Sequence, residues 1–384
     1  MKILTFTSLY PSVSRGEFGI FVRRRTEALG RLEATRVVAP VPLVPFGLSV
    51  IFPKYCDIAD TPNEEMQNGV IVTHPRYFIL PSIGRRYYGE WLFRSVMRHV
   101  STVRREFHFD ILDCHWGYPD GYAGMLLSRK FKVPYTVTLR GSDILIYAKQ
   151  KLIGELTGLA LRNASAVICV SASMVPDVIS MGVRENKIHV VSNGIDNKRF
   201  FPKPEEREPG NILYVGRLGS PKRLDLLLEA IAILGRDTMC KLTVVGDGPQ
   251  SAVLKTKAAT LGISEKVSFV GSVPNNELPA YYRKAHIFCL PSDSEGNPNV
   301  LLEALSCGTP VVANAVGGIP EIVTSPENGI LVPPGDPMAL SLCLREGLAR
   351  KWDSERVASF ASEDWEIVAG RLRGIFSIIC GRAS

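Results

Sequence analysis

The 384-residue sequence contains no uninterrupted apolar run of the ~18 to 20 residues that a spanning helix needs, so any membrane contact is expected to be peripheral. It has no low-complexity tract, and its hydrophobic fraction of 46% with 22% charged residues is that of a chain that folds around cores. It has no C-x-x-C and no histidine at zinc spacing. The eight cysteines are scattered, several of them in apolar runs such as "AVICV" and "HIFCL" where a thiol serves as a small hydrophobe. A reduced, cytoplasmic, metal-free chain is expected. No G-x-G-x-x-G follows the first apolar run, and "GEFG" does not supply one, which disfavours a dinucleotide-dependent oxidoreductase. That first run, "MKILTFTSLYP", lacks a small-residue cleavage site and resembles a β-strand more than a signal peptide.

What is present begins with length, which suggests two domains. The net charge of +7 is uneven: residues 1 to 200 hold 26 Lys+Arg against 17 Asp+Glu, and the remainder 19 against 21. A basic first half suits an anionic substrate, an anionic membrane surface or nucleic acid equally well, because all three answer to the same field. From Asn211 onward, short apolar runs ("NILYVGRL", "KLTVVGDG", "KVSFVGSV", "HIFCLPS", "TPVVANAV") alternate with helical patterns ("RLDLLLEAIAIL", "NVLLEALSCG"). Continuous apolar runs joined this way imply parallel strands buried on both faces, hence a doubly wound α/β sheet. The first half repeats the rhythm less cleanly, and "KRFFPKPEEREPG" between the two is expected to be a linker near residues 200 to 210. The expectation is two Rossmann-like domains, 1–200 and 201–363, facing across a cleft, with a helix in 364–384 returning to the first.

Ligands of such sheets bind at the carboxyl ends of the strands. There "YVGRLGSPKRLD" places Arg217 and Lys222, two cations suited to a diphosphate, beside Gly216 and Gly219, which allow close backbone approach. "SEGNPNVLLEA" adds Glu295 in a loop and Glu303 in the helix that follows. A carboxylate can accept both hydroxyls of a ribose or sugar diol, so neither glutamate needs to act as an acid or base. Solvated loop charges and an ordinary helical glutamate are the plainer reading of each residue alone.

Taken together, Glu295-x7-Glu303, "VGRL…PKRLDLLLEA", "VVGDGP", "VSFVGSV", "VGGIPEIV", "NGILVPPGD" and "VVSNGID" resemble glycosyltransferase family 4, retaining enzymes of the GT-B fold. The resemblance spans nearly the whole chain and is densest in the C-terminal half. It implies that Arg217 and Lys222 bind the donor diphosphate, Glu303 the ribose and Glu295 the transferred hexose. The backbone N–H groups of Asn299 and Val300, with Asn297 in the same loop, would meet phosphate and sugar oxygens. Pro298 removes one N–H that other members use. Gly271, Ser272 and Val273 would lie against the base, and Gly317 and Gly318 would line the site. In the first half, Gly16 stands in the loop that usually holds paired glycines and would contact diphosphate or acceptor. His115 in "FDILDCHWGYPDGYAG" matches the family's strand-end histidine, or is a structural histidine capping that strand. "VTLRGSDI" carries Arg140 where many members have His, and Asp143 would orient an acceptor hydroxyl or cap the next helix.

The implied reaction moves a hexose from a UDP- or GDP-linked sugar to a saccharide or lipid-linked hydroxyl in cell-envelope glycan synthesis, with retention. It needs no cofactor, since Arg217, Lys222 and helix N-termini would neutralise the leaving diphosphate. The basic, aromatic stretch "GRRYYGEWLFRSVMRHVSTVRREF" and the shorter "FVRRRTEALGRL" suit the inner face of an anionic membrane, or pack their apolar sides inward and leave the arginines solvated. A nucleotide-sugar epimerase, a phosphorylase and a non-enzymatic nucleic-acid binder are the competing classes. No epimerase pattern, pyridoxal-type lysine motif or nucleic-acid module accompanies them.

Overall fold

The computed structural model describes residues 1–16, 18–43, 56–79, 84–235, 237–361 and 363–382. It divides into two compact units, the first comprising Met1–Gly194 with Trp365–Ser384 and the second Ile195–Asp364. The strands of the first unit are β1 (Lys2–Phe6), β2 (Ala34–Val38), β3 (Val41–Pro42), β4 (Glu64–Gln67), β5 (Val70–Thr73), β6 (Arg76–Tyr77), β7 (Ile111–His115), β8 (Tyr135–Leu139), β9 (Ala166–Cys169) and β10 (Ile188–Val190). Eight of them form one sheet in the order β10-β9-β8-β7-β1-β2-β5-β4, with β3 paired to β6 apart from it. All pairs are parallel except β4 with β5. Every residue of β7 and β8 is buried, as expected of central strands covered on both faces.

Helices supply those covers. The helix Tyr88–Glu106 turns Leu92, Val96, Val100 and Val103 inward, a one-turn spacing that makes a single apolar stripe. On another apolar cluster, Leu29 of the helix Ile20–Leu32 meets Leu372 and Phe376 of the helix Trp365–Ile379, with Ile3 of β1 beneath them. Thus the C-terminal helix is part of the first unit's core.

The second unit has β11 (Asn211–Val215), β12 (Lys241–Val245), β13 (Val267–Gly271), β14 (Ile287–Leu290), β15 (Val311–Asn314) and β16 (Gly329–Val332), in the order β13-β12-β11-β14-β15-β16 and parallel throughout. The division at Gly194–Ile195 corrects the expected boundary at residue 200, and the stretch expected as a linker is packed. Phe200 is fully buried and meets Tyr282 edge-on, while Arg283 donates to the Phe201 carbonyl oxygen at 3.0 Å. Composition suggested a linker because prolines and charges dominate the stretch, yet one aromatic anchor outweighs them.

In both sheets the strand order reverses beside the first strand of the unit: β1 lies between β2 and β7, and β11 between β12 and β14. Such switch points leave a crevice at the carboxyl ends of the two diverging strands. Among the described residues no helix is long and apolar enough to cross a membrane.

Candidate functional site

At the switch point of the second unit, the loops after β11 and β14 are clamped together. The Asp293 N–H donates to the Pro221 carbonyl oxygen at 2.9 Å, and the Arg223 guanidinium bridges Asp225 and Asp293 at 3.1 Å each. Arg223 adopts φ +50° immediately before the helix Leu224–Leu234, turning the chain sharply there. This turn delivers Lys222, whose Nζ reaches Glu295 Oε1 at 2.5 Å. Glu295 is only 9% exposed and Lys222 26%, so the pair is partly withdrawn from water and stronger than a surface bridge. Arg217, on the same loop, is exposed, and its guanidinium has no partner among the described residues.

Three glycines hold this geometry. A Cβ on Gly317 would fall well inside contact with the Glu295 carbonyl oxygen, and Gly317 also has φ +52°. A Cβ on Gly246 or Gly248 would likewise fall inside contact with the Gly216 or Leu218 carbonyl oxygen, so both pack tightly against the loop that carries Arg217. The Gly318 N–H donates to the Glu295 carbonyl oxygen at 3.3 Å. Glu295 is therefore positioned by backbone packing against the loop after β15.

The helix Asn299–Ser306 starts directly after Pro298, so the amides of Asn299 and Val300 precede the helical hydrogen-bond ladder and belong to the positive end of its dipole. Asn297 is buried in the loop before it. Glu303 is buried as well, and the Tyr282 hydroxyl donates to its Oε2 at 2.9 Å. Gly271 ends β13 with φ +87° and gives its carbonyl oxygen to the Gly246 N–H at 2.7 Å. Ser272 beyond it is exposed, and Val273 packs partly against the core. The structure thus gathers Lys222, Glu295 and the loop of Arg217 at one sheet edge, with Glu303 one helix turn behind.

The remaining expected residues belong to the first unit. His115, fully buried at the end of β7, is part of a network that sequence reasoning missed. Arg25, from the helix Ile20–Leu32, points into the core and pairs with Asp113 at 3.1 Å while donating to Thr138 at 2.8 Å. Burial alone would raise the Asp113 carboxyl, but the charge of Arg25, with hydrogen bonds from His115 and Thr136, outweighs it and holds it well below the usual range. Arg140 donates to His115 Nδ1 at 2.6 Å, so that nitrogen must be an acceptor and the ring proton resides on Nε2, facing Asp113 at 3.2 Å. Burial, against the pull of Asp113, pushes the imidazole down to about 3, and His115 is neutral.

Arg140 also donates to Asn193 at 2.9 Å and stacks over Phe21, and burial followed by Arg25 brings it down to about 9. Asp143 is buried and lies in the first turn of its short helix, and the N-cap position is Gly141. Its carboxylate accepts from the N–H groups of Arg140, Gly141 and Gly117 at 2.9 to 3.2 Å. Gly16 has an ordinary right-handed backbone and open space around it, so the fold does not require glycine there. Gly19 is the constrained one, with φ +77° against the Leu9 backbone.

Asp120 occupies the crevice of the first unit, accepting from the Ser8 N–H at 2.6 Å and from the Thr7 and Ser8 hydroxyls. Burial pushes its carboxyl up to about 7. Of the two basic helices, Ile20–Leu32 turns one of its arginines into the core and leaves Arg31 exposed. Arg25 is internal, and Arg23 and Arg31 face Glu27 and Glu366. Tyr88–Glu106 exposes Arg94 and Arg98. Among the described residues no group of three His, Cys, Asp or Glu side chains could share a metal ion, and the seven cysteines with described side chains are free.

The sequence model of the family "Glycosyl transferases group 1" matches residues 195–363, and that of "Glycosyltransferase Family 4" matches residues 49–199. A D-inositol 3-phosphate glycosyltransferase of Frankia alni is 30% identical over 303 residues, covering 71% of this chain and 74% of its own. A Bacillus subtilis protein named as a teichuronic acid biosynthesis glycosyltransferase is 29% identical over 355 residues, 89% of this chain and 87% of its own. Among solved structures, sucrose-phosphate synthase from Thermosynechococcus elongatus aligns with a TM-score of 0.78 at 22% identity, over 99% of this chain and 100% of that one.

Proposed function

The chain belongs to glycosyltransferase family 4, and on that premise we propose that it moves a hexose from a UDP- or GDP-linked donor to an acceptor hydroxyl, with retention and without a metal ion. It is a glycosyltransferase of cell-envelope or other glycan biosynthesis. The observation that carries the finer reading is the Lys222–Glu295 pair at the second unit's switch point. A lysine held by a carboxylate can shift its N–H donors to a diphosphate, and the carboxylate so released can accept sugar hydroxyls. Arg217 adds a second cation, the Asn299 and Val300 amides add donors, and Glu303 suits the ribose diol.

In the proposed reaction the bond from the anomeric carbon to the diphosphate oxygen breaks, and the electron pair leaves with the nucleoside diphosphate. Lys222, Arg217 and the helix N-terminus stabilise the charge that develops there. The acceptor oxygen attacks from the same face through an oxocarbenium-like state, and its proton passes to the departing phosphate oxygen. Each preorganised donor in such a site is typically worth ~10²–10³ in rate. Saccharide and lipid-linked hydroxyls are the acceptors proposed, and the exposed Arg94 and Arg98 support a peripheral approach to an anionic membrane.

Two measurements test this reading. Thermal melting with uridine, guanosine and adenosine diphosphate sugars should show a shift with one base and little with the others. Nucleoside diphosphate release should then fall ~10²-fold in Lys222→Gln and Glu295→Gln, with melting temperatures close to the parent's. Unchanged turnover in both variants would overturn the assignment.

A further inference from the structure

The first unit contains a cavity of about 190 Å³, walled by Tyr88, Trp116, Tyr118, Tyr147 and Ile153, with Arg85 and Gln150 at its rim. We propose that it holds the apolar chain of a lipid phosphate whose anionic group meets Arg85. This rests on the glycosyltransferase reading and names the lipid part of its acceptor.

The walls are built to stay open. Trp116, directly after β7, has φ +79°, a conformation rare for a bulky residue. It is held there by its own N–H donating to the Thr138 carbonyl oxygen at 2.9 Å and by the Gly121 N–H donating to its carbonyl oxygen at 2.9 Å. Strain of this kind persists only where the surroundings enforce it, and it often accompanies ligand sites. Its indole leans on the Tyr147 ring at 5.9 Å. The Tyr118 hydroxyl donates to the Arg85 carbonyl oxygen at 2.7 Å and accepts from the Gly89 N–H at 3.1 Å, so its ring cannot swing in to fill the space.

Chemistry selects the occupant. A sugar ring carries hydroxyls around its whole edge, and burying them against aromatic and aliphatic carbon leaves hydrogen bonds unmade. An apolar chain has no such cost. The volume is below the ~300–1,000 Å³ of sites that enclose a whole drug-sized ligand, so part of a chain fits and the head remains outside. Tyr147 of the lining is 44% exposed, and Ile146, Leu152 and Tyr87, each next in sequence to a lining residue, are exposed apolar side chains as well. Charge complements this: the guanidinium of Arg85 has no partner among the described residues, and Arg86 beside it has no carboxylate partner there. An apolar chain bearing a phosphate satisfies both features at once.

Calorimetric titration of the full chain tests the proposal with three probes below their micelle concentrations: dodecyl phosphate, inorganic phosphate and neutral dodecyl maltoside. Dodecyl phosphate should bind one to one, at least about tenfold tighter than either of the others. Tyr147→Ala should weaken it about tenfold, Arg85→Gln should bring it to the level of the neutral detergent, and Gln150→Trp, which plugs the rim, should abolish it. Equal binding of inorganic phosphate, equal binding of dodecyl maltoside, or undiminished affinity in Tyr147→Ala and Gln150→Trp at parental melting temperature would each overturn it. Failure here is separable from failure of the transferase reading, because donor binding to the second unit is titrated independently with the nucleotide sugar.

Discussion

Replacing Gly317 by alanine probes the backbone packing that positions Glu295. The new Cβ would fall well inside contact with the Glu295 carbonyl oxygen and 3.0 Å from its carbonyl carbon, on a residue whose φ of +52° already disfavours a side chain. The positive φ costs about 1 kcal/mol. Relieving the clash requires the Glu295 loop to retreat by on the order of 1 Å, and overpacking of this kind typically costs ~1–3 kcal/mol. The sum of roughly 2–4 kcal/mol corresponds to a melting temperature about 5–15 °C lower in a domain of this size.

Gly335→Ala supplies the control, since Gly335 has φ +88° but nothing within 4 Å of the added Cβ. It should show the backbone term alone, about 2–4 °C. Displacement of Glu295 and its bond to Lys222 should lower kcat/KM for the sugar donor by ~10²-fold in Gly317→Ala. Gly335→Ala should leave it within about threefold of the parent. Both are measured by nucleoside diphosphate release and scanning calorimetry. If the two variants melt together and turn over the donor alike, the loop after β15 does not position Glu295 and the reasoning fails.

Two other predictions concern the first unit. Arg25→Met leaves the Asp113 carboxylate buried without its cation, and breaking such a pair typically costs ~3–5 kcal/mol. Thermal melting at neutral pH should fall by about 6–20 °C, and a loss under ~1 kcal/mol would show that Thr136 and His115 suffice to hold the charge. Asp120→Asn addresses pH. The carboxyl is pushed from 3.8 to about 7 in the folded chain, so the native state binds a proton that the unfolded state has released. Stability from this group is therefore fullest below pH 4 and declines as pH rises through 7, by up to roughly 4 kcal/mol. The difference in melting temperature between parent and variant should change across that window and be flat above it, and parallel curves would refute the assignment.

The alternating rhythm of the second half was legible because a central parallel strand such as "NILYV" is covered on both faces and must be apolar along its length. The placement of Lys222 and Glu295 at carboxyl ends of strands followed from the same rhythm, since local sequence decides where a strand stops. Their contact did not follow. They are 73 residues apart and meet only because β14 lies beside β11, an adjacency set by strand order. For the same reason Arg25 gave no sign that it would leave a row of three arginines to pair with Asp113, 88 residues on. "FVRRRTEALGRL" suggested a solvated basic face because charge counts carry no direction, whereas the helix rotation that buries Leu29 also turns Arg25 inward.

The residues alone determined the α/β class, the two-unit organisation and the residue types at the second unit's switch point, because periodicity and strand-end motifs are local properties. Tertiary structure decided which unit owns residues 195–210, that Asp143 is occupied by backbone amides, that Glu303 is buried under Tyr282, and that an aromatic cavity opens beside Trp116. Each of those depends on what lies opposite a side chain in space, and that is settled by the order in which strands join the sheet.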